Sequence, residues 1–156
     1  MDDDTITFFL VFIAMWVAIL LSTSAYIGAF NVLKPKAGVV LLQSQDLEHK
    51  LIIVNPIVIN SSFSYGSVDY IFYIYNDKSF NQSITFSWHL SKGMMEEASY
   101  IVFYSSLGQN TTISSGQVLE CYVRFSIADG APQNIVDRIT GLRPAVILYV
   151  NAELLK

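Results

Sequence analysis

From Thr5 to Leu33 the chain carries no charged side chain, reading TITFFLVFIAMWVAILLSTSAYIGAFNVL. About 20 predominantly apolar residues suffice for a helix to cross a bilayer. This run is longer, so it can span with some tilt. The remainder of the chain is different in kind: about 120 residues of alternating, tyrosine-rich sequence broken by turn signals. The expected organisation is an acidic N-terminal tail over 1–4, a transmembrane helix over 5–33, a linker over 34–38 and a β domain over 39–156.

A secretory signal needs a basic leader, a short apolar core and a small-x-small cleavage site. Here Asp2, Asp3 and Asp4 make the leader acidic, and the apolar stretch is too long. A retained single-pass anchor is therefore expected. Ala14, Ala18 and Ser22 lie four apart on it, and Ala25 and Ala29 continue a neighbouring small-residue face. Such faces let membrane helices approach closely. Small residues are also simply common in membrane helices, so the pattern marks helix-packing candidates and no more.

The flanking charges and the glycosylation sequons point to opposite sides of the membrane. Lys34 and Lys36 come just after the apolar run, and the positive-inside rule would then hold the β domain in the cytoplasm. Three sequons oppose that: Asn60-Ser61-Ser62, Asn81-Gln82-Ser83 and Asn110-Thr111-Thr112. With this much Asn, Ser and Thr, roughly one is expected by chance. The excess, and a surface rich in Ser, Thr, Tyr and Asn, favour an extracytoplasmic (pseudo-periplasmic) domain, with Asn60, Asn81 and Asn110 as glycan acceptors.

The formal net charge is -4, and three of the 13 acidic residues are the N-terminal aspartates. The rest of the chain is nearly balanced, so no basic patch is available for a nucleic-acid backbone. One cysteine, Cys121, excludes an internal disulfide. Stability then has to come from packing, for which nine Tyr, ten Phe and two Trp supply the material.

Lys34-Pro35-Lys36-Ala37-Gly38 ends the helical pattern, and the period then drops to two. Strands are expected at Val39–Gln45, Leu51–Ile59, Val68–Tyr75, Ile84–Ser91, Tyr100–Ser105, Val118–Ile127 and Ala145–Val150. Asn55-Pro56 interrupts the second, because proline gives up a ladder bond. Ile84, Phe86, Trp88 and Leu90 form one face of the fourth, with Thr85, Ser87, His89 and Ser91 on the other. Leu107 to Thr112 reads as a polar loop, and Asn134 to Thr140 as a short helical turn. Seven short strands predict an all-β, immunoglobulin-like β-sandwich after one N-terminal transmembrane helix.

Val68 to Tyr75 reads VDYIFYIY and is apolar or aromatic on both faces apart from Asp69. One set, Tyr70, Phe72 and Ile74 or Ile71, Tyr73 and Tyr75, meets the core. The other is an interface candidate unless a loop or the 134–140 segment covers it. Met94 and Met95 are either core cover or an adaptable contact surface.

Residues for catalysis are sparse. His49 and His89 lack metal-ligand spacing with each other, with Cys121 or with a carboxylate cluster. Cys121 falls in a core register, and His89 on a wet face. Glu96 and Glu97 are adjacent, and suit a solvated loop better than an acid–base pair. No nucleophile elbow or phosphate-cradling glycine loop occurs. A non-enzymatic protein without cofactor or metal is expected.

The helix core, Phe12-Ile13-Ala14-Met15 running into Val17-Ala18, resembles the start of mature archaellins, the filament subunits of the archaeal flagellum. The chain lacks the basic residue and glycine that precede the helix in archaellin precursors. Its layout is similar to that of two archaellum accessory proteins, FlaG and FlaF, and slightly closer to FlaG. That resemblance implies an uncleaved N-terminal helix and a β-sandwich outside the cell membrane. It also implies a static, stator-like part in the motor, contacts with the partner accessory protein and with the surface layer, and assembly as a homo-oligomer or filament. The competing expectation is a pilin-like or surface-adhesion filament subunit without a motor role.

Overall fold

The structure, a computed structural model, describes residues 2–33, 35–60 and 62–155, with side chains described for all of these except 24–33. Two compact units are present, Met1–Lys36 and Ala37–Lys156. The first is the helix α1, Asp3–Leu33. Its first turn closes on the Asp2 carbonyl, which accepts from Thr5 N and Ile6 N. Asp3 and Asp4 stand at the positive end of its dipole. Asp3–Thr23 is long and apolar enough to cross a membrane. Thr23 and Ser22 donate their hydroxyls to the Ile19 carbonyl, so neither presents a bare O–H on an apolar surface.

The second unit is mostly β and sandwich-like, with two antiparallel sheets. One runs in the order β2-β1-β4-β8-β6 and the other in the order β3-β9-β5-β7. The five-stranded sheet comprises β1 (Val40–Leu42), β2 (Ile52–Ile53), β4 (Ser67–Tyr75), β6 (Ile101–Ser105) and β8 (Val118–Ile127). The four-stranded sheet comprises β3 (Ile57–Ile59), β5 (Gln82–Leu90), β7 (Thr111–Ile113) and β9 (Val146–Leu154). From β3 onward each strand lies in the opposite sheet from the one before it. Two short helices, α2 (Met95–Ala98) and α3 (Gln133–Leu142), complete the unit.

The described residues hold nine strands where the sequence predicts seven. The run Leu51–Ile59 splits: its first half pairs in one sheet and its second half in the other, with the cis Asn55-Pro56 bond between them. The additional strand is β7, which begins within the Leu107 to Thr112 segment that reads as a polar loop and runs one residue past it. Lys92 and Gly93, both at positive φ, turn the chain out of β5.

Aromatic side chains join the sheets. Trp88 of β5 packs edge-on against Phe125 of β8 at 5.3 Å, and Phe103 of β6 lies 5.0 Å from Phe125. Phe63, Phe72 and Phe125 are wholly buried, whereas Trp88 is only partly so. Helix α3 contributes Ile135 and Ile139 to the same core.

Three side-chain amides replace missing stretches of ladder. Phe86 and Val150 face each other across β5 and β9. Phe86 N donates to Gln109 Oε1 at 3.0 Å, and Gln109 Nε2 donates back to Phe86 O at 3.3 Å. Val150 N donates to Asn55 Oδ1 at 3.2 Å, and Asn55 Nδ2 to Val150 O at 2.8 Å. Gln82 treats Gly38 the same way, at 2.7 and 2.9 Å. Each amide supplies one donor and one acceptor in the geometry a neighbouring strand would offer.

Candidate functional site

Alternation along β4 decides between the two candidate faces. Tyr70, Phe72 and Ile74 turn inward and pack in or against the core. Ile71, Tyr73 and Tyr75 turn outward, with Asp69 on the same side. Directly paired residues share a face. The ladder therefore adds Ile52 and Leu42 from one side, and Glu120, Tyr122, Arg124, Val102 and Tyr104 from the other. Ile52 is 66% exposed, Ile71 55%, Val102 55% and Tyr104 56%. Leu42 is fully buried, although its partners place it on this outer face. Helix α2 packs against β5 and α3, and the exposure of Ile71, Val102 and Tyr104 leaves their part of the surface open.

Polar groups on this face are held in fixed pairs. Arg124 grips Asp69 through two bonds, at 2.7 and 3.1 Å, and Tyr122 donates its hydroxyl to the same carboxylate at 2.9 Å. The guanidinium holds the Asp69 carboxyl below its ordinary range, and the carboxylate raises Arg124 in turn. Partial desolvation first, and the hydrogen bond to Asp69 second, push the Tyr122 phenol up. Tyr73 donates to Glu120 at 3.1 Å, and that bond raises its phenol as well. Tyr104 and Tyr122 pack at 6.2 Å, and the Lys50 ammonium lies 5.0 Å from the Tyr75 ring. The result is a face of aliphatic and tyrosine side chains on which Asp69 and Arg124 are paired and Glu120 accepts a phenol. The register that assembles it is invisible in the sequence, and so Ile52, Val102 and Tyr104 escape a strand-by-strand reading.

The other sheet's outer face is of another kind. Ser83, Thr85, Ser87 and His89 of β5 sit beside Glu153, Asn151, Tyr149 and Ile147 of β9. His89 stacks on Tyr149 at 5.7 Å.

Met94 and Met95 part company. Met94 is buried in the core, and Met95 is 86% exposed. Both line a pocket of about 630 Å³ at the end of β5, together with Trp88, Leu90, Lys92 and Ala98. Lys92 Nζ donates to the Leu142 carbonyl. His89 and Ser91 line it as well, but they are engaged apart: Ser91 Oγ accepts from Ala145 N at 2.8 Å and His89 stacks on Tyr149. The expectation of a solvated Glu96–Glu97 loop is corrected: these residues form α2, and Glu97 is buried. Arg138 Nη2 of α3 lies 2.9 Å from Glu97 Oε1, close enough to pair the charges but not angled as a hydrogen bond.

Cys121 is buried, and burial pushes its thiol up to about 11 against a weaker opposing effect from Ser105. A thiol so protonated is a poor nucleophile. Among the described residues no group of three or more His, Cys, Asp and Glu is placed to hold a metal ion.

On α1, Ala14, Ala18 and Ser22 are exposed along one face of a helix whose described side chains are all exposed. The side chains of Ala25 and Ala29 lie outside the described residues. Asn60, Asn81 and Asn110 are all exposed.

The entry of the linker into the domain is locked. Gln82 is fully buried, and beyond its two bonds to Gly38 it donates to Asn76 Oδ1 at 2.6 Å. Asn76, also fully buried, donates in turn to the carbonyls of Phe80 and Ile113. Since Asn76 comes directly after β4 and Gln82 begins β5, the point where the chain enters is tied to both sheets.

Comparison with known proteins finds no matching family model, no matching curated protein and no matching solved structure.

Proposed function

We propose that the chain is a non-catalytic, membrane-anchored component of the archaellum motor. In this reading α1 spans the cell membrane and the β unit stands in the pseudo-periplasmic space. The β unit is a stiff sandwich in the broad immunoglobulin-like sense, an architecture shared by several strand orders. The observation that carries the reading is the outer face of the five-stranded sheet. Ile52, Ile71, Val102 and Tyr104 are exposed together there, among tyrosines whose polar ends are tied down. Exposed aliphatic and tyrosine side chains gathered on one sheet face support a protein–protein contact.

Two further features support a load-bearing role. An apolar helix whose described side chains are all exposed needs lipid or other helices around it. The buried Gln82–Gly38 lock would spread force arriving along the linker into both sheets. Contacts expected are a second copy, the partner accessory protein FlaF or FlaG, and the surface layer.

Crosslinking in native membranes, with affinity capture of the full chain, tests this. Motor or surface-layer components should be recovered with it. Recovery of self-crosslinks alone would end the motor assignment and leave the pilin-like or surface-adhesion filament reading.

A further inference from the structure

The three sequons fall together in the fold. Asn60 comes just after β3, Asn81 precedes β5 and Asn110 precedes β7. All three strands belong to the four-stranded sheet, and none of these asparagines lies on the tyrosine-rich face. Their carboxamides make no donor bond, a state shared among the described residues with Asn134, which lies in no sequon. Asn55, Asn76 and Asn151 each donate Nδ2 to a protein acceptor. Among the described residues no acceptor takes Nδ2 of Asn60, Asn81 or Asn110. Asn81 uses only Oδ1, which accepts from Ser115 N at 3.1 Å. In each sequon the atom that would carry a sugar is exposed and uncommitted.

Asn81 and Asn110 also bracket one structural weak point. β7 pairs with β5 through Gln82↔Ile113 and Ile84↔Thr111, and ends the sheet on its other side. Asn110 stands at one end of this pairing and Asn81 at the other, roughly 10–15 Å apart at strand rise. An open edge recruits strands from other molecules unless charge, proline or a cover blocks it. From Leu107 to Gln117 there is no charged residue and no proline.

We propose that Asn81 and Asn110 carry N-linked oligosaccharides that cover the open edge of β7, so that the domain assembles through the tyrosine-rich face of the other sheet. Asn60, on the opposite edge strand, is a third acceptor. In the transfer, Asn Nδ2 bonds to the anomeric carbon of an oligosaccharide carried on a lipid phosphate. The sugar–oxygen bond to that phosphate breaks, the lipid phosphate leaves with the electron pair, and Nδ2 gives up one proton. This rests on the proposed extracytoplasmic placement of the β unit.

Peptide mass mapping of the full chain, purified from its own membranes, tests the modification. Peptides containing Asn81 and Asn110 should carry the same hexose-containing mass, and N81Q and N110Q should each remove one such mass from the intact protein. Unmodified Asn81 and Asn110, or sugar on Asn60 alone, would overturn the proposal. In the same membranes an Asp129→Cys variant is treated from outside with an impermeant maleimide, against which buried Cys121 is a silent background. Labelling without sugar refutes the glycans alone. Absence of labelling refutes the outside placement, and the glycans with it. The shielding is tested separately by sedimentation of the full chain in detergent. The N81Q/N110Q variant should form larger species, and adding Thr112→Lys on the bare edge should reverse them. A double variant that sediments as the native protein does would rule out the edge-covering role.

Discussion

Gln82 sits where the linker enters the β unit, and its amide returns both bonds that Gly38 would make in a ladder. Loss of such a buried amide strands its partners, and an unsatisfied buried group costs more than the bond it made was worth. Gln82→Ala is therefore expected to destabilise residues 37–156 by about 2–4 kcal/mol in urea unfolding. Gln109→Ala, which frees an edge that water can reach, should cost about 1 kcal/mol or less. Cys121 contributes to the alkaline limit, alongside the raised Tyr73 and Tyr122 phenols. Its thiol titrates near 9.0 when unfolded and at about 11 in the fold. The folded state therefore holds the proton more tightly. Its contribution is complete below pH 9 and is lost as pH rises toward 11, by at most about 2–3 kcal/mol. A pH series of urea midpoints should fall across that window, and Cys121→Ala should flatten the fall. At pH 8 the native thiol should resist a disulfide reagent that labels the unfolded chain at once.

At the scale of elements, legibility comes from alternation within one strand. Ile84 to Ser91 is readable because hydrophobic and polar residues alternate without a break, and its inward set is the set that packs. Trp88→Ala should cost about 3 kcal/mol, the low end for a large aromatic, because Trp88 is only partly buried. An unchanged unfolding midpoint would contradict its contacts with Phe103 and Phe125. Other elements depend on partners that no local pattern reveals. Thr111–Ile113 is a strand because β5 lies beside it, and three residues carry too little periodicity to announce that. Leu51–Ile59 resembles one interrupted strand, since its composition is the same on both sides of Pro56. Only the sheet order shows that its halves serve different sheets. Glu97 reads as solvated because adjacent carboxylates suit a loop, while the covering residue, Arg138, is distant in sequence. The candidate contact face is half legible for the same reason. Residues 68–75 display their surplus of apolar side chains, but Val102 and Tyr104 join them only through the β8 register.

At the scale of the whole β unit, the two outer faces divide the surface by chemistry. One presents serine, threonine, asparagine and a stacked histidine, with Tyr149, Ile147 and exposed Val58 toward its β3 edge and sequons at the ends of its strands. The other presents isoleucine, valine and tyrosine, with Asp69 and Arg124 paired, the Tyr122 phenol bonded to Asp69 and the Tyr73 phenol to Glu120. Prepaired charges matter for assembly, because a contact made over them does not strand an ion. Ile71 lies amid this face and makes no polar contact, so its substitution probes assembly with the least disturbance to folding. Ile71→Glu places a carboxylate near Asp69 and Glu120, and within any contact that desolvates the face. The expected loss is about 2 kcal/mol or more of association energy, roughly a thirtyfold weaker assembly. Thr85→Glu makes the same change in charge on the opposite face and should leave association as it was. Both variants should keep the native urea midpoint within about 0.5 kcal/mol, since both positions face solvent. Light scattering of the detergent-solubilised chain, with and without its captured partner, reads the difference. If Ile71→Glu assembles as the native chain does while Thr85→Glu does not, the contact surface lies on the four-stranded sheet, and the roles of the two faces are reversed.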